Sequence, residues 1–425
     1  MKTNLVKNKN YNLHTIHVDN FRSCHFSLVF RNKFNEKEAV AFTLLADLLT
    51  DVSKNYPSPK YVYRHIDSSY ILNFYGSFSK VGKATQMYII CDYVDPKYIK
   101  EKDYLDNTYK FIFDMISNPL IINNAFDEKP FNAVKRRLLT ELSSLKEDNN
   151  FLSVHKALKI FSNDGITSFN LLDMIDYING ITSEELYKFY LKLINNSSVD
   201  IFITSSTDEN ILNNVVKKYY PFKNTKNIKY EELVFNKKRL LPKKVVDKSS
   251  YKQSTIVMVF NIDNMTMFER EFVMPFYRSI INSGGLGSKL YVSLREKNSL
   301  CYNVSTSCYD RTNLLLINST IKVGEENKAI RLIKKCVKDM VGRISNEEFV
   351  GAFYDYQRNL KGMVDSIGAI NRLYMNMYYA SFSSYEEKQI SYKKVTIDDV
   401  NELAKKIHLN TIYVLKGDIN ERNQD

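Results

Sequence analysis

Two residues of this chain are spaced to act on a carbonyl group. They are Arg295 and Tyr302, in the stretch SGGLGSKLYVSLREKNSLCYNVS (283–305). Arginine offers a fork of N–H donors and tyrosine a phenolic O–H. A helix-like run ends near Arg295 and a strand begins near Tyr302, so both side chains can be aimed past the ends of their elements at one point. Such donors suit a peptide carbonyl, or the oxyanion that develops from one. The plainer alternative is an arginine favoured at a helix C-terminus beside a core tyrosine. Spacing alone leaves both readings open.

The glycines just upstream suggest a phosphate loop, but the pattern does not fit one. A Walker loop needs Lys followed by Ser or Thr, whereas here the order is Ser288, Lys289, Leu290. A dinucleotide fingerprint follows a strand directly, and Gly284, Gly285 and Gly287 follow a helical run. They read as a tight turn between two helices.

Other chemistry is scattered. The six histidines are His14, His17, His25, His65, His155 and His408. The first two are three apart in a strand-like run, which puts them on opposite faces. The five cysteines form no CxxC pair. An odd, dispersed set fits reduced thiols in a cytoplasmic protein rather than a disulfide frame. The N-terminus has no apolar core for a signal peptide, and no run is apolar enough for a membrane span. Net charge is +12, but its densest run, KKRLLPKKVVDK (237–248), reads as a solvated connector. No basic–aromatic cluster points to nucleic acid. The 30 Tyr, 25 Phe and absent Trp read as coding bias.

With 425 residues, more than one core is expected. The elements that must carry Arg295 and Tyr302 occur twice. In the first copy a strand (22–32) precedes a helix capped by Asn35 and Glu38, with Val40, Leu44, Leu45, Leu48 and Leu49 at helical spacing. A short helix (58–67), two strands (70–79 and 85–94), a helical block (103–163), a helix capped by Thr182 and Glu185, and a strand (199–206) follow. The second copy replays this order: strand 254–262, helix 267–282, short helix 286–298, strands 300–309 and 313–321, helices over 325–382, a helix capped by Thr396 and Asp399, and a closing strand. Duplication at this scale organises the whole chain. The expected fold class is α+β: two homologous repeats, each an antiparallel-rich sheet layered with helices. The expected domains are 1–221 and 251–425, joined by a connector at 222–250.

This layout, together with GGLGSKLYVSLREKNSLCY, resembles the second repeat of the pitrilysin/insulinase-type zinc peptidases. LLADLLTDVSKNYPS and FNAVKRRLLTELSSLKEDN fit the family's two metal-bearing helices in the first repeat. The resemblance implies half of a clamshell that encloses peptides. It also implies that the family's inverted HxxEH falls on Thr43, Ala46 and Asp47, with Glu141 in place of the distant carboxylate ligand. Neither imidazole is present, and the general base is an alanine. No metal or other cofactor is expected in this chain, and no independent activity.

In heterodimeric members one subunit holds the zinc, and the other supplies the Arg–Tyr pair that faces it. The resemblance therefore implies a non-catalytic subunit, close to the bacterial YmfF-type members, working with an HxxEH-bearing homologous partner. Zinc would sit in the partner, with Arg295 and Tyr302 contacting the substrate. In such pairs the substrate is a peptide, sometimes the precursor of a modified peptide or bacteriocin. The alternative is an inert peptide-binding or structural subunit with no peptidase partner.

Overall fold

The computed structural model describes residues 2–162, 165–223, 228, 231, 239–282, 287–309 and 312–418; of the residues at 302 and 309 it describes the backbone. The chain opens with β1 (Lys2–Lys7), β2 (Asn12–His17), β3 (Ser23–Lys33), α1 (Glu36–Asp51), α2 (Pro59–Ser68), β4 (Ile71–Val81) and β5 (Ala84–Val94). Next come α3 (Tyr104–Ser117), the small hairpin β6 (Ile121–Ile122) and β7 (Ala125–Phe126), α4 (Glu128–Glu147), α5 (Asn149–Phe161), α6 (Gly165–Ser168), α7 (Met174–Gly180), α8 (Ser183–Asn196), β8 (Ser198–Ser205) and α9 (Glu209–Tyr219). The second half holds β9 (Lys243–Lys248), β10 (Ser254–Ile262), α10 (Met274–Asn282), α11 (Lys289–Tyr291), β11 (Cys301–Tyr309) and β12 (Leu314–Ile321). It closes with α12 (Glu326–Asp339), α13 (Asn346–Gly362), α14 (Ile367–Ala380), α15 (Tyr385–Ser391), α16 (Ile397–Lys405) and β13 (Ile407–Lys416).

The fold is α+β, and the duplication is explicit in the sheets. The first runs β1-β2-β8-β3-β5-β4 and the second runs β9-β13-β10-β12-β11. Apart from β1 the orders correspond strand for strand. In each, one pair is parallel, β2–β8 or β9–β13, and the others are antiparallel. β9 lies within the stretch read as a connector. Its alternating burial is that of a half-covered edge strand.

The caps behave as local chemistry requires. Thr182 with Glu185 and Thr396 with Asp399 form reciprocal capping boxes. At α1 only half of the expected box forms. The Asn35 side chain accepts from the Glu38 backbone N–H, while the Glu38 carboxylate instead takes Asn32 and Lys192. Helix 267–282 begins with a turn of π-type helix at Glu269–Val273, and the short helix after it is α11 followed by a second such turn at Val292–Glu296. The glycines at 284 and 285 lie outside the described residues.

Spatially the chain forms two compact units, one of residues 1–142, 173–231 and 363–380, the other of 143–172, 232–362 and 381–425. Each half of the sequence thus lends a helix to the other half's sheet. In the second unit α5 covers the β-sheet with Ala157, Leu158 and Phe161, set against Val257, Val259, Leu314, Leu316, Tyr413 and Leu415. In the first unit α14 places Ile367, Ile370, Met375 and Tyr379 on Ile16, Val29 and Phe202. Amphipathic spacing requires each helix to bury one stripe but does not name the sheet that receives it.

No helix among the described residues is long and apolar enough to cross a membrane. Cys24, Cys91, Cys301, Cys308 and Cys336 form no disulfide with one another. Burial raises the pKa of Cys24 to about 12, so this thiol is not poised as a nucleophile.

Candidate functional site

The positions on which the resemblance places the metal motif lie on α1 and α4 of the first unit. Thr43 spends its hydroxyl on the Ala39 carbonyl, at 2.9 Å, as a helix threonine commonly does. Ala46 is 1% exposed. Strand β4 crosses α1 there so closely that a Cβ on Gly76 would lie 1.9 Å from the Ala46 carbonyl oxygen, which is why the strand has glycine at that point.

Asp47 is engaged by Arg137 of α4. One guanidinium nitrogen, Nη2, donates to Asp47 Oδ2 at 3.0 Å, and Nη1 donates to Asp51 Oδ2 at 2.8 Å. A single arginine therefore spans two carboxylates one helical turn apart. Burial opposes its charge, but the two acids more than offset this and its pKa is raised. Glu141 is exposed, one turn beyond Arg137 on α4.

These residues do not fit zinc. They include no imidazole or thiolate, and a guanidinium already occupies the two nearest carboxylates. Among the described residues no cluster of three or more His, Cys, Asp or Glu could hold a metal ion. The histidines stay apart: His14 meets Asp200, His17 meets Asp19, His25 meets Asp92 and His408 meets Asp263, while His65 lies beside Tyr56 and His155 beside Asn170.

Packing leaves little room for a larger side chain at Ala46. Ala46→Glu, which places the resemblance's acid at this position, is expected to destabilise the first unit by at least about 3 kcal/mol through overpacking and a buried charge. Urea unfolding measures it; a stability within about 0.5 kcal/mol of the parent would show that the site still has room.

Arg295 and Tyr302 lie in the second unit, at the two ends of a pinned segment. The turn carrying Arg295 closes through an i→i+5 bond from Lys297 N–H to the Val292 carbonyl, at 3.0 Å. Leu300 N–H returns to the Leu294 carbonyl at 2.9 Å, and both leucines are buried. Ser299 takes φ +50° to make the corner. Arg295 is exposed, and its guanidinium lies 5.1 Å from the Tyr291 ring centre.

The backbone of Tyr302 is the extra residue of a β-bulge, because Cys301 pairs with Ile321 and Asn303 with Thr320. A bulge re-aims the residue it carries. The Tyr302 side chain lies outside the described portion, so its convergence with Arg295 stands as an expectation.

The first repeat has the same bulge, at Leu72, between Ile71 and Asn73 on β4. Seven residues before Leu72, as Arg295 precedes Tyr302, stands His65. His65 stacks on Phe111 with ring centres 4.4 Å apart, and burial lowers its pKa. At the places of Arg295 and Tyr302 the first copy thus has His65 and Leu72.

Sequence reasoning missed Arg137, Asp51 and Gly76. Arg137 precedes Glu141 by one helical turn in a quoted helix, which was the available signal. Its ion pairs depend on how α1 and α4 face each other, which spacing within one helix does not give.

Residues 180–353 match the family model described as the peptidase M16 inactive domain. The chain is similar to the "Probable inactive metalloprotease YmfF" of Bacillus subtilis, with 21% identity over 97% of this chain and 98% of that protein. Its fold is that of a conserved Enterococcus faecalis protein, with TM-score 0.91, 22% identity and 99% of each chain covered. It is also that of a peptidase M16 inactive domain from Pseudomonas fluorescens, with TM-score 0.76, 12% identity and 99% of each chain covered.

Proposed function

We propose that this chain, an inactive-type member of the M16 peptidase family similar to YmfF, serves as the non-catalytic subunit of a two-chain zinc peptidase. An HxxEH-bearing homologous partner supplies the zinc and the water. This chain helps to enclose the peptide and presents Arg295 and Tyr302 to it. One asymmetry carries the reading. The first repeat has converted its motif positions into a buried alanine and an Asp47–Arg137–Asp51 bridge, while the second keeps an exposed arginine at the end of a pinned segment and a tyrosine on a bulge.

The role of the pair follows from charge. When water adds to a peptide carbonyl, the oxygen gains negative charge, and donors aimed at that oxygen bind the transition state more strongly than the ground state. Arg295 contributes a permanently charged fork, and Tyr302 a neutral O–H. Neither moves a proton in this scheme. The substrate class is a peptide or peptide precursor, including a bacteriocin precursor, handled in the cytoplasm. The test is cleavage by the HxxEH partner in the presence and absence of this chain: cleavage that needs both chains supports the reading, and a partner fully active by itself overturns it.

A further inference from the structure

The second unit contains a polar cavity of about 450 Å³ between α10, α13 and β11. It is the pseudo-symmetric counterpart of the converted metal position. Counted from the helix caps, Arg137 stands ten residues after Asp127 and Asp355 ten after Ser345. Asp47 stands twelve after Asn35, and Ser279 thirteen after Thr266, the additional residue being absorbed by the π-type turn at Glu269–Val273. The interhelical Arg137–Asp47 pair of the first repeat therefore becomes Asp355 accepting from Ser279 Oγ, at 2.6 Å, in the second. A long arginine and a carboxylate are replaced by a carboxylate and a hydroxyl, and this shorter pair lies at the wall of the cavity.

The lining sets the ligand chemistry. Asp355 is occupied, since it accepts from Ser279 and pairs with Arg358. Arg278, one turn of backbone before Asn282, is exposed on the rim and makes no ion pair among the described residues. Asn303 and Asn359 add amide donors, and Ser305 a hydroxyl. The charge balance is two arginines against one aspartate, so the cavity has one cation without an internal counter-charge. A guanidinium with neighbouring amide donors is matched by a planar carboxylate. One wall is β11, the edge strand beside β12 in its sheet; Asn282 Nδ2 donates to its Val304 carbonyl at 2.8 Å, and a sheet edge is a place where an extended chain can pair.

We propose that this cavity binds a peptide carboxylate, with Arg278 as the principal partner and the C-terminal carboxylate as its source. The site belongs to the second unit alone. It is tested without any peptidase partner, so its failure and that of the subunit reading are separable.

The experiment uses the full chain and fluorescence anisotropy with three N-terminally labelled, alanine-rich hexapeptides: a free acid, its C-terminal amide, and the amide with Glu at the penultimate position. The free acid should bind more tightly than the amide by about 10–100-fold, the range of a charge-assisted pair. Arg278→Gln should abolish that difference with unchanged thermal melting, and Arg278→Lys should restore only part of it. If the Glu-bearing amide binds like the free acid, the carboxylate site stands and its source is the side chain. Three results would overturn the proposal: equal binding of acid and plain amide, no peptide bound more tightly than about 1 mM, or undiminished acid binding by a folded Arg278→Gln protein.

Discussion

Arg295→Ala, assembled with an HxxEH-bearing partner, is expected to slow peptide cleavage about 10²–10³-fold, the usual cost of losing one oxyanion donor. Tyr302→Phe, which removes a single O–H, should act in the same direction. Both should lower kcat more than they raise KM, because the lost interaction strengthens only as charge develops on the carbonyl oxygen. Arg295→Lys should recover little, since an ammonium cannot reproduce the planar fork. Arg295→Ala should disturb folding by no more than about 0.5 kcal/mol, because this side chain is exposed. Steady-state kinetics on a pair verified by size-exclusion chromatography separates this from loss of assembly. Undiminished kcat in both variants would reduce the two residues to scaffold.

A second large effect is expected far from that pair, in the polar cluster that fastens α14 to the first sheet. Asp200 on β8 accepts from Arg31 Nη2 at 2.7 Å, Asn12 Nδ2 at 2.9 Å, Tyr379 Oη at 2.9 Å and His14 Nε2 at 3.3 Å. Arg31 also lies 3.8 Å from the Tyr379 ring centre, and Asn371 of α14 donates to Thr204 on the same strand. Asp200→Ala leaves the Arg31 charge buried and uncompensated, at a cost of about 3–5 kcal/mol.

The sign of the pH dependence follows from the same contacts. Burial would raise the Asp200 pKa, but the His14 hydrogen bond and the Arg31 charge outweigh it and hold the carboxyl below its ordinary value. A depressed folded-state pKa contributes stability that is complete above the unfolded carboxyl's value, about 3.9, and is lost as pH falls through the folded one. Asp200→Ala should therefore flatten the stability curve below about pH 4 and speed hydrogen exchange in 367–380. A variant within 1 kcal/mol of the parent at pH 7, with an unchanged acid limb, would remove this account of how α14 is held.

The sequence disclosed the fold through periodicity and duplication. Val40, Leu44, Leu45, Leu48 and Leu49 marked α1, and the Thr182 and Thr396 boxes marked corresponding helices of the two copies. Those signals are local, so they survive without coordinates. The exchange of α5 and α14 between the two sheets did not register. The apolar faces of both helices are visible in the chain, but their receiving surfaces lie about a hundred residues or more away in sequence.

The candidate site divides in the same way. Thr43, Ala46 and Asp47 come from the family resemblance, which assigns positions along one helix and carries no contact between elements. The Arg137 fork, the seal of Gly76 over Ala46 and the cavity beside Arg278 depend on two or more elements meeting. Likewise, the register shift that makes Tyr302 a bulge residue is a property of the β11–β12 pair and has no signature in LCYNVS alone.

The most direct measurement takes three samples: this chain, the HxxEH-bearing partner, and the two purified as a complex. Each is assayed for bound zinc by mass spectrometry and for turnover of one peptide substrate. The account predicts no stoichiometric zinc and no turnover for this chain, one zinc per assembled pair, and cleavage by the pair that neither chain reproduces. One zinc held tightly by this chain with turnover of its own would contradict it, as would a partner that cleaves the peptide equally fast without it.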